Sequence, residues 1–391
     1  VDVTKFLKTI EVADFFKDQV EHQRTIPVRR AEYKELAHPL PEQLGSVLEK
    51  TGIKKLYTHQ AYAIDSLRNG NDVVVVTSTA SGKTLCYNVP VLERLIEEPE
   101  ARALYLYPTK ALAQDQLRVL NRYQGEGGLR FEAGTYDGDT PTSLRRKLRD
   151  EAKIVLTNPD MLHSGILPNH AKWGSFFSRL RYVVVDEIHT YRGIFGSHVA
   201  NVMRRLQRIC SHYGSSPVFA ASSATIANPG EHARALIGRE IKVVDEDGSP
   251  RGPKQFIFWN PPLIDDGLME RRSPNIEAAE LVTNLVLDDV QTITFVRARV
   301  VSEVITRYTR DKLGEHRASM KDNVHPYRGG YLPEERREIE KRLFGGDLKA
   351  VISTNALELG IDVGALHASI IVGYPGSIAS TWQQAGRAGR G

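Results

Sequence analysis

The stretch Tyr182-Val183-Val184-Val185-Asp186-Glu187-Ile188-His189 decides the fold. Its apolar, β-branched half reads as a strand buried on both faces of a parallel sheet. Two carboxylates stand where that strand should end. Open α/β sheets bind ligands beyond the carboxyl ends of their strands. Asp186 and Glu187 therefore read as a metal-binding group and a base; the plainer alternative is an exposed acidic turn.

Working outward, further apolar runs at 73–76, 103–107, 154–156 and 218–220 read as companion strands. Amphipathic stretches between them read as crossover helices. One is Ser197 to Cys210, with Val199, Val202, Met203, Leu206 and Ile209 on one face. This alternation predicts an α/β fold with a parallel sheet flanked by helices on both sides. A second set of strand-like runs follows at 255–259, 291–296, 349–352 and 369–372, with a helix opening at Pro333. Residues 1–45 read as an N-terminal extension, 46–247 as a first domain and 248–391 as a second. The turn-forming segment at about 244–254 reads as their linker.

Composition narrows the class. The 391 residues are 41% hydrophobic, with a formal net charge of +4. That mild basicity permits a polyanionic partner without demonstrating one. Cys86 and Cys210 are the only cysteines. They form no CxxC or His/Cys cluster, so neither a disulfide framework nor structural zinc is expected within this stretch. No run reaches the ~18 apolar residues of a membrane-spanning helix. The cytosol is the default compartment, with reduced thiols. The chain ends at Gly391, where a last strand of the second sheet would normally follow, so it reads as truncated.

The chemistry begins at Thr77-Ser78-Thr79-Ala80-Ser81-Gly82-Lys83-Thr84, directly after the strand Val73–Val76. Small residues let backbone N–H groups approach phosphate oxygens. Lys83 is placed to contact the β- and γ-phosphates and Thr84 to coordinate Mg²⁺, with a helix N-terminus adding its dipole. Thr77 stands where such loops usually begin with glycine. Asp186 would then hold the Mg²⁺ indirectly, and Glu187 would orient or deprotonate the attacking water. Near the end, Gln383-Gln384-Ala385-Gly386-Arg387-Ala388-Gly389-Arg390 places two arginines three apart. On one helix face both would reach a γ-phosphate across an interdomain cleft and stabilise transition-state charge.

Together these segments resemble a superfamily 2 DExH-box helicase with two RecA-like domains, over about residues 53–391. The resemblance implies ATP and Mg²⁺ as cofactors and assigns further roles. Leu56-Tyr57-Thr58-His59-Gln60 resembles the adenine-reading segment, with Gln60 as reader and Tyr57 near the base. Thr109 and Lys110, and Thr157 and Asn158, fall in segments similar to motifs Ia and Ib, which grip the nucleic-acid backbone. Ser223-Ala224-Thr225 resembles motif III, which couples hydrolysis to movement, and His189 would link it to the nucleotide site. Arg297 lies in a segment resembling motif IV. Thr354, toward nucleic acid, and Gly360 and Asp362, toward the nucleotide, belong to a stretch resembling motif V. The terminal run resembles motif VI, with Gln383 as a coupling residue.

Three shorter segments narrow the likeness: Tyr136-Asp137-Gly138-Asp139-Thr140, His189-Thr190-Tyr191-Arg192-Gly193 and Tyr327-Arg328-Gly329-Gly330-Tyr331. They resemble the bacterial MrfA/YprA group and its fungal RecQ-four-like relatives. That implies a DNA helicase moving 3′→5′ on single-stranded or tailed duplex DNA, linked to repair. It also implies repair nucleases or other repair proteins as partners, in the bacterial nucleoid or, in a eukaryote, the nucleus. The resemblance also implies a cysteine-rich, zinc-binding C-terminal domain, whose cysteines are not in this stretch, so the chain again reads as a fragment. An RNA-remodelling ATPase of the same fold, or a non-catalytic nucleic-acid clamp, are the rival readings.

Among the remaining features, Arg145-Arg146-Lys147 with Arg149, and Arg204, Arg205 and Arg208, read as solvated helix faces. Trp382 reads as packing rather than base stacking, and Cys86 as a small buried apolar residue.

Overall fold

The computed structural model describes residues 3–13, 15–16, 18–125, 128–265, 269–358 and 366–389. The chain forms two compact units, one of residues 30–249 and the other of 1–29 together with 250–391. The 1–45 segment is therefore shared between units rather than standing as a separate extension.

Strand β1 (Val20–Ile26) precedes both parallel sheets. The 30–249 unit then contributes β2 (Val73–Val76), β3 (Arg102–Leu106), β4 (Ala133–Thr135), β5 (Ile154–Thr157), β6 (Leu180–Val185), β7 (Val218–Ser223) and β8 (Lys242–Val244). They form one sheet in the order β4-β5-β3-β6-β7-β2-β8, every neighbouring pair parallel. Strands β2, β3 and β5 are buried along their whole length and β6 and β7 at all but one residue each, as expected of strands covered by helices on both faces. The edge strands β4 and β8 are short and partly polar, so no apolar run announces them in the sequence. The helix expected from Ser197 extends over Gly193–His212 and buries Val199, Val202, Met203, Leu206 and Cys210 against this sheet.

The other unit holds β9 (Lys254–Trp259), the short hairpin β10 (Leu263–Asp265) and β11 (Glu270–Arg271), and β12 (Thr292–Phe295), β13 (Val324–Tyr327), β14 (Ala350–Ser353) and β15 (Ala368–Ile371). The last four form a parallel sheet in the order β13-β14-β12-β15. The run at 255–259 is a strand, as its pattern predicts. It is not in the parallel sheet but pairs antiparallel with β1 in a two-stranded ribbon. The physical reason is one-sided burial: Phe258 stays 56% exposed, whereas a strand inside a parallel sheet would be covered on both faces.

The ribbon's anchor is a buried polar node. The Glu277 carboxylate accepts from Trp259 Nε1 (2.7 Å) and Gln19 Nε2 (3.3 Å) and pairs with Arg272 Nε at 2.9 Å. Phe15 and Phe16 pack on the Trp259 ring, with centroids 6.4 and 5.9 Å away. The early aromatic residues are thus an integral part of the unit that contains the second sheet.

Candidate nucleotide site

All seven strands of the first sheet run parallel, so their carboxyl ends share one edge. β7 lies between β2 and β6. That order places the phosphate loop after β2, Ser223-Ala224-Thr225 at the end of β7 and the acidic pair after β6 along one rim.

The loop is shaped by its small residues. Ala80 and Gly82 adopt positive φ, 65° and 78°. A side chain at Gly82 would be strained in that conformation and would place its Cβ 2.6 Å from Gln60 Nε2. Gln60 braces the loop by donating to the Gly82 carbonyl (3.1 Å), while its Oε1 accepts from the Tyr57 amide (2.9 Å). Thr77 Oγ1 and Ser81 Oγ lie 2.6 Å apart. Lys83 turns back on its own loop, donating to the carbonyls of Thr77 (2.9 Å) and Ser78 (2.8 Å). Thr79 lies in the loop, and Thr84 follows in the first turn of the helix Lys83–Glu97.

The acidic pair lies beside it, Glu187 buried and Asp186 half-buried. Asp186 accepts a hydrogen bond from Ser222 Oγ, and the Glu187 amide donates to the same oxygen at 3.4 Å. Burial, and then the charge of Glu187, push the Asp186 carboxyl up to about 7; Ser222 and the Lys83 ammonium oppose that rise. Glu187 takes a left-handed backbone (φ 52°), which swings the chain off the sheet edge into the turn Ile188–Thr190. His189 Nδ1 accepts from the Ala224 amide (3.2 Å) and lies 3.4 Å from Glu187 Oε2. One ring nitrogen therefore bridges the acidic pair and the segment after β7. Tyr191 is buried next to them, its hydroxyl pushed upward first by burial and then by the Asp186 and Glu187 carboxylates.

The other expected residues are divided between the two units. In the same unit, Lys110 opens the helix Lys110–Gly125 next to Thr109 and pairs with Asp139 at 2.8 Å. Thr157 is buried and donates to the Tyr136 carbonyl (2.6 Å), and Asn158 caps the turn after it by accepting from the Met161 amide (2.8 Å). The Tyr136–Thr140 turn thus joins the Thr109–Lys110 and Thr157–Asn158 segments through side-chain contacts. Ser223 is buried and Thr225 exposed.

In the other unit, Arg297 is exposed after β12 and Thr354 is buried after β14, on neighbouring parallel strands. Gln383 is buried on the helix Ile378–Ala385. Arg387 corrects its expectation: that helix ends at Ala385, so Arg387 lies in the turn beyond it rather than on a helix face. It is fully buried and donates to the Glu358 carbonyl (2.5 Å). Gly360, Asp362 and Arg390 lie outside the described residues.

One expectation for a surface residue changes as well. Arg145 is not merely solvated: it donates to the Thr140 and Asp137 carbonyls (both 3.0 Å) and sits over the Tyr136 ring. Trp382 packs on Phe256 with centroids 5.8 Å apart, yet stays 47% exposed. Cys86 is buried, its thiol pushed up to about 12 by desolvation. Two contributors escaped the sequence reading: Ser222, which touches both acidic residues, and His59, which reaches the phosphate loop at Ser81 (3.0 Å). A serine one position before a motif and a histidine inside one carry no signal until the fold sets their neighbours.

A helix-flanked parallel sheet with a phosphate loop and an acidic pair on one rim defines a RecA-like nucleotide-binding unit. A DEAD/DEAH box helicase family model matches residues 57–232, and a helicase conserved C-terminal domain model matches 277–391. The chain is 51% identical over 373 residues to the uncharacterized ATP-dependent helicase YprA of Bacillus subtilis, covering 95% of this chain and 50% of that protein. It is 42% identical to the ATP-dependent helicase HRQ1 of Saccharomyces cerevisiae, covering 99% of this chain and 36% of that protein. The crystal structure of the DUF1998 helicase MrfA bound to DNA and AMPPNP matches with a TM-score of 0.93 at 48% identity. That match covers 99% of this chain and 53% of the MrfA chain. The chain belongs to the superfamily 2 helicases of the MrfA/YprA group. It spans about half the length of YprA and MrfA.

Proposed function

We propose that the protein is an ATP-dependent DNA helicase or translocase that moves 3′→5′ on single-stranded DNA and serves DNA repair. The observation that carries the reading is the shared rim: Lys83 and Thr84 after β2, Asp186 and Glu187 after β6, and His189 bonded to Ala224 after β7. A non-catalytic clamp has no use for that assembly. DNA is favoured over RNA because the MrfA structure matched above is a DNA complex. Polarity and the repair role follow from the family likeness, as do repair-protein partners.

The residues fit a magnesium–nucleotide complex: a loop of small residues with a lysine, a hydroxyl on Thr84, and a half-buried carboxylate, Asp186, within the electrostatic reach of that lysine. Thr84 and Asp186 would hold the cation, which when bound neutralises phosphate charge. The chain's own work is then electrostatic and positional. Lys83 exchanges its loop carbonyls for phosphate oxygens. Glu187 orients a water and takes its proton. His189 carries the change at Glu187 to the Ala224 amide. Contacts to the DNA backbone carry no base information, so binding should be sequence-independent and weaken with salt.

The test is ATPase activity with and without single-stranded oligonucleotides. Lys83→Ala and Glu187→Gln should abolish DNA-stimulated turnover; full turnover in either purified variant overturns the mechanism. Stronger stimulation by a matched RNA oligonucleotide would favour an RNA-remodelling enzyme. Unwinding of 5′-tailed but not 3′-tailed duplex would overturn the polarity.

A further inference from the structure

We infer that Asp247-Gly248-Ser249 is a latch passing the state of the phosphate loop to the chain that enters the second unit, with Asp247 as its positioning residue. This rests on the nucleotide-binding reading above and adds a group that lies outside every motif supporting it. By composition these three residues are linker. Ser249 ends the 30–249 unit and Pro250 begins the part of the chain that belongs to the other.

The Asp247 side chain is only 9% exposed, unlike a solvated linker acid. Its Oδ2 accepts from the amide (3.1 Å) and hydroxyl (2.6 Å) of Ser78, the second residue of the phosphate loop. Its Oδ1 accepts from the amide (3.0 Å) and hydroxyl (2.6 Å) of Ser249. One carboxylate thus joins the phosphate loop to the last residue of the unit. Hydrogen bonds to a charged acceptor are among the stronger ones available.

Gly248 is held as closely. Its amide donates to His59 Nδ1 (3.3 Å), and its carbonyl accepts from the Glu32 amide (2.9 Å). An added Cβ would be driven into Thr58 Oγ1 and would lie 2.9 Å from the Glu32 carbonyl oxygen, so only glycine fits. A backbone N–H can only donate, so His59 Nδ1 is the acceptor and Nε2 carries the proton donated to the Ser81 carbonyl (3.0 Å). The linker therefore meets the loop at two points, Ser78 through Asp247 and Ser81 through His59.

Ser78 is the joint. Its amide and hydroxyl are held by Asp247 while its carbonyl accepts from Lys83 Nζ (2.8 Å). A phosphate that draws the Lys83 ammonium away releases one side of a residue whose other side holds the linker. Loading of the loop is thereby felt at residues 247–249.

The test is amide hydrogen exchange on the 391-residue chain, with and without the magnesium complex of a non-hydrolysable ATP analogue, beside fluorescent-nucleotide binding. In the wild type, nucleotide should change exchange at residues 246–249. In Asp247→Ala that change should vanish while nucleotide affinity stays within about threefold, less than one kcal/mol. DNA-stimulated kcat should fall about tenfold or more with KM for ATP nearly constant, a split that general destabilisation would not produce. Ser78→Ala should lose the exchange response too, and the double variant should be no worse than either single one. Bound nucleotide with no change at 246–249 in the wild type, or an Asp247→Ala variant that responds like it, overturns the latch. Failure of the wild type to bind nucleotide overturns the nucleotide-binding reading itself, and the latch with it.

Discussion

Replacing Asp186 by asparagine should stabilise the nucleotide-free protein, and only at neutral to alkaline pH. The folded carboxyl sits at about 7, raised by burial and then by Glu187, against an ordinary value of 3.8. A group whose pKa is raised on folding contributes stability that is complete below the unfolded value and disappears as pH climbs through the folded one. At about pH 5 the wild type still keeps its proton and most of that contribution. By about pH 8 the carboxyl is charged and the contribution is gone. Two pH units of the interval lie between those conditions, and at 1.36 kcal/mol each the difference is about 3 kcal/mol. Asparagine is neutral throughout and loses nothing. For a unit of this size each kcal/mol moves the melting temperature by about 2–4 °C. The gap between variant and wild type should therefore widen by roughly 6–12 °C from about pH 5 to about pH 8. Differential scanning fluorimetry in a chelating buffer reads it directly. A gap that is the same at both pH values would refute the argument that Asp186 is held as a desolvated acid in the nucleotide-free state.

Other outcomes follow from particular contacts. Gly196→Ala should destabilise the 30–249 unit by about 2 kcal/mol, because its Cβ would be driven into the Tyr191 backbone carbonyl, and chemical denaturation will show it. Glu277→Ala leaves Arg272 without its buried partner and strips Gln19 and Trp259 of an acceptor; it should cost about 3 kcal/mol, read as earlier unfolding of the second unit in hydrogen exchange. His189→Ala removes the acceptor of the Ala224 amide, so fluorescent-nucleotide binding should survive while DNA stimulation of ATPase activity falls about tenfold or more.

The chain's own chemistry determined a good deal. Five short apolar runs separated by amphipathic stretches point to a covered parallel sheet, so the α/β class and the rim carrying Lys83, Asp186 and Glu187 were legible from residue order. Tertiary structure decided the rest, because contacts between distant residues leave no local pattern. The run at 255–259 looks like any other strand; only its partner, β1, makes it a ribbon rather than a sheet member. Arg387 reads as one of two arginines on a helix face, and only folding sets it in the turn beyond Ala385, buried against the Glu358 carbonyl. Ser222 is one serine among several until β7 falls between β2 and β6 and sets its hydroxyl between two acids. Asp247 lies in a stretch that reads only as linker until the chain returns past Ser78 after 169 residues. Local sequence sets periodicity and chemistry; which side chains meet is set by the order in which strands stack, and that is a property of the whole chain.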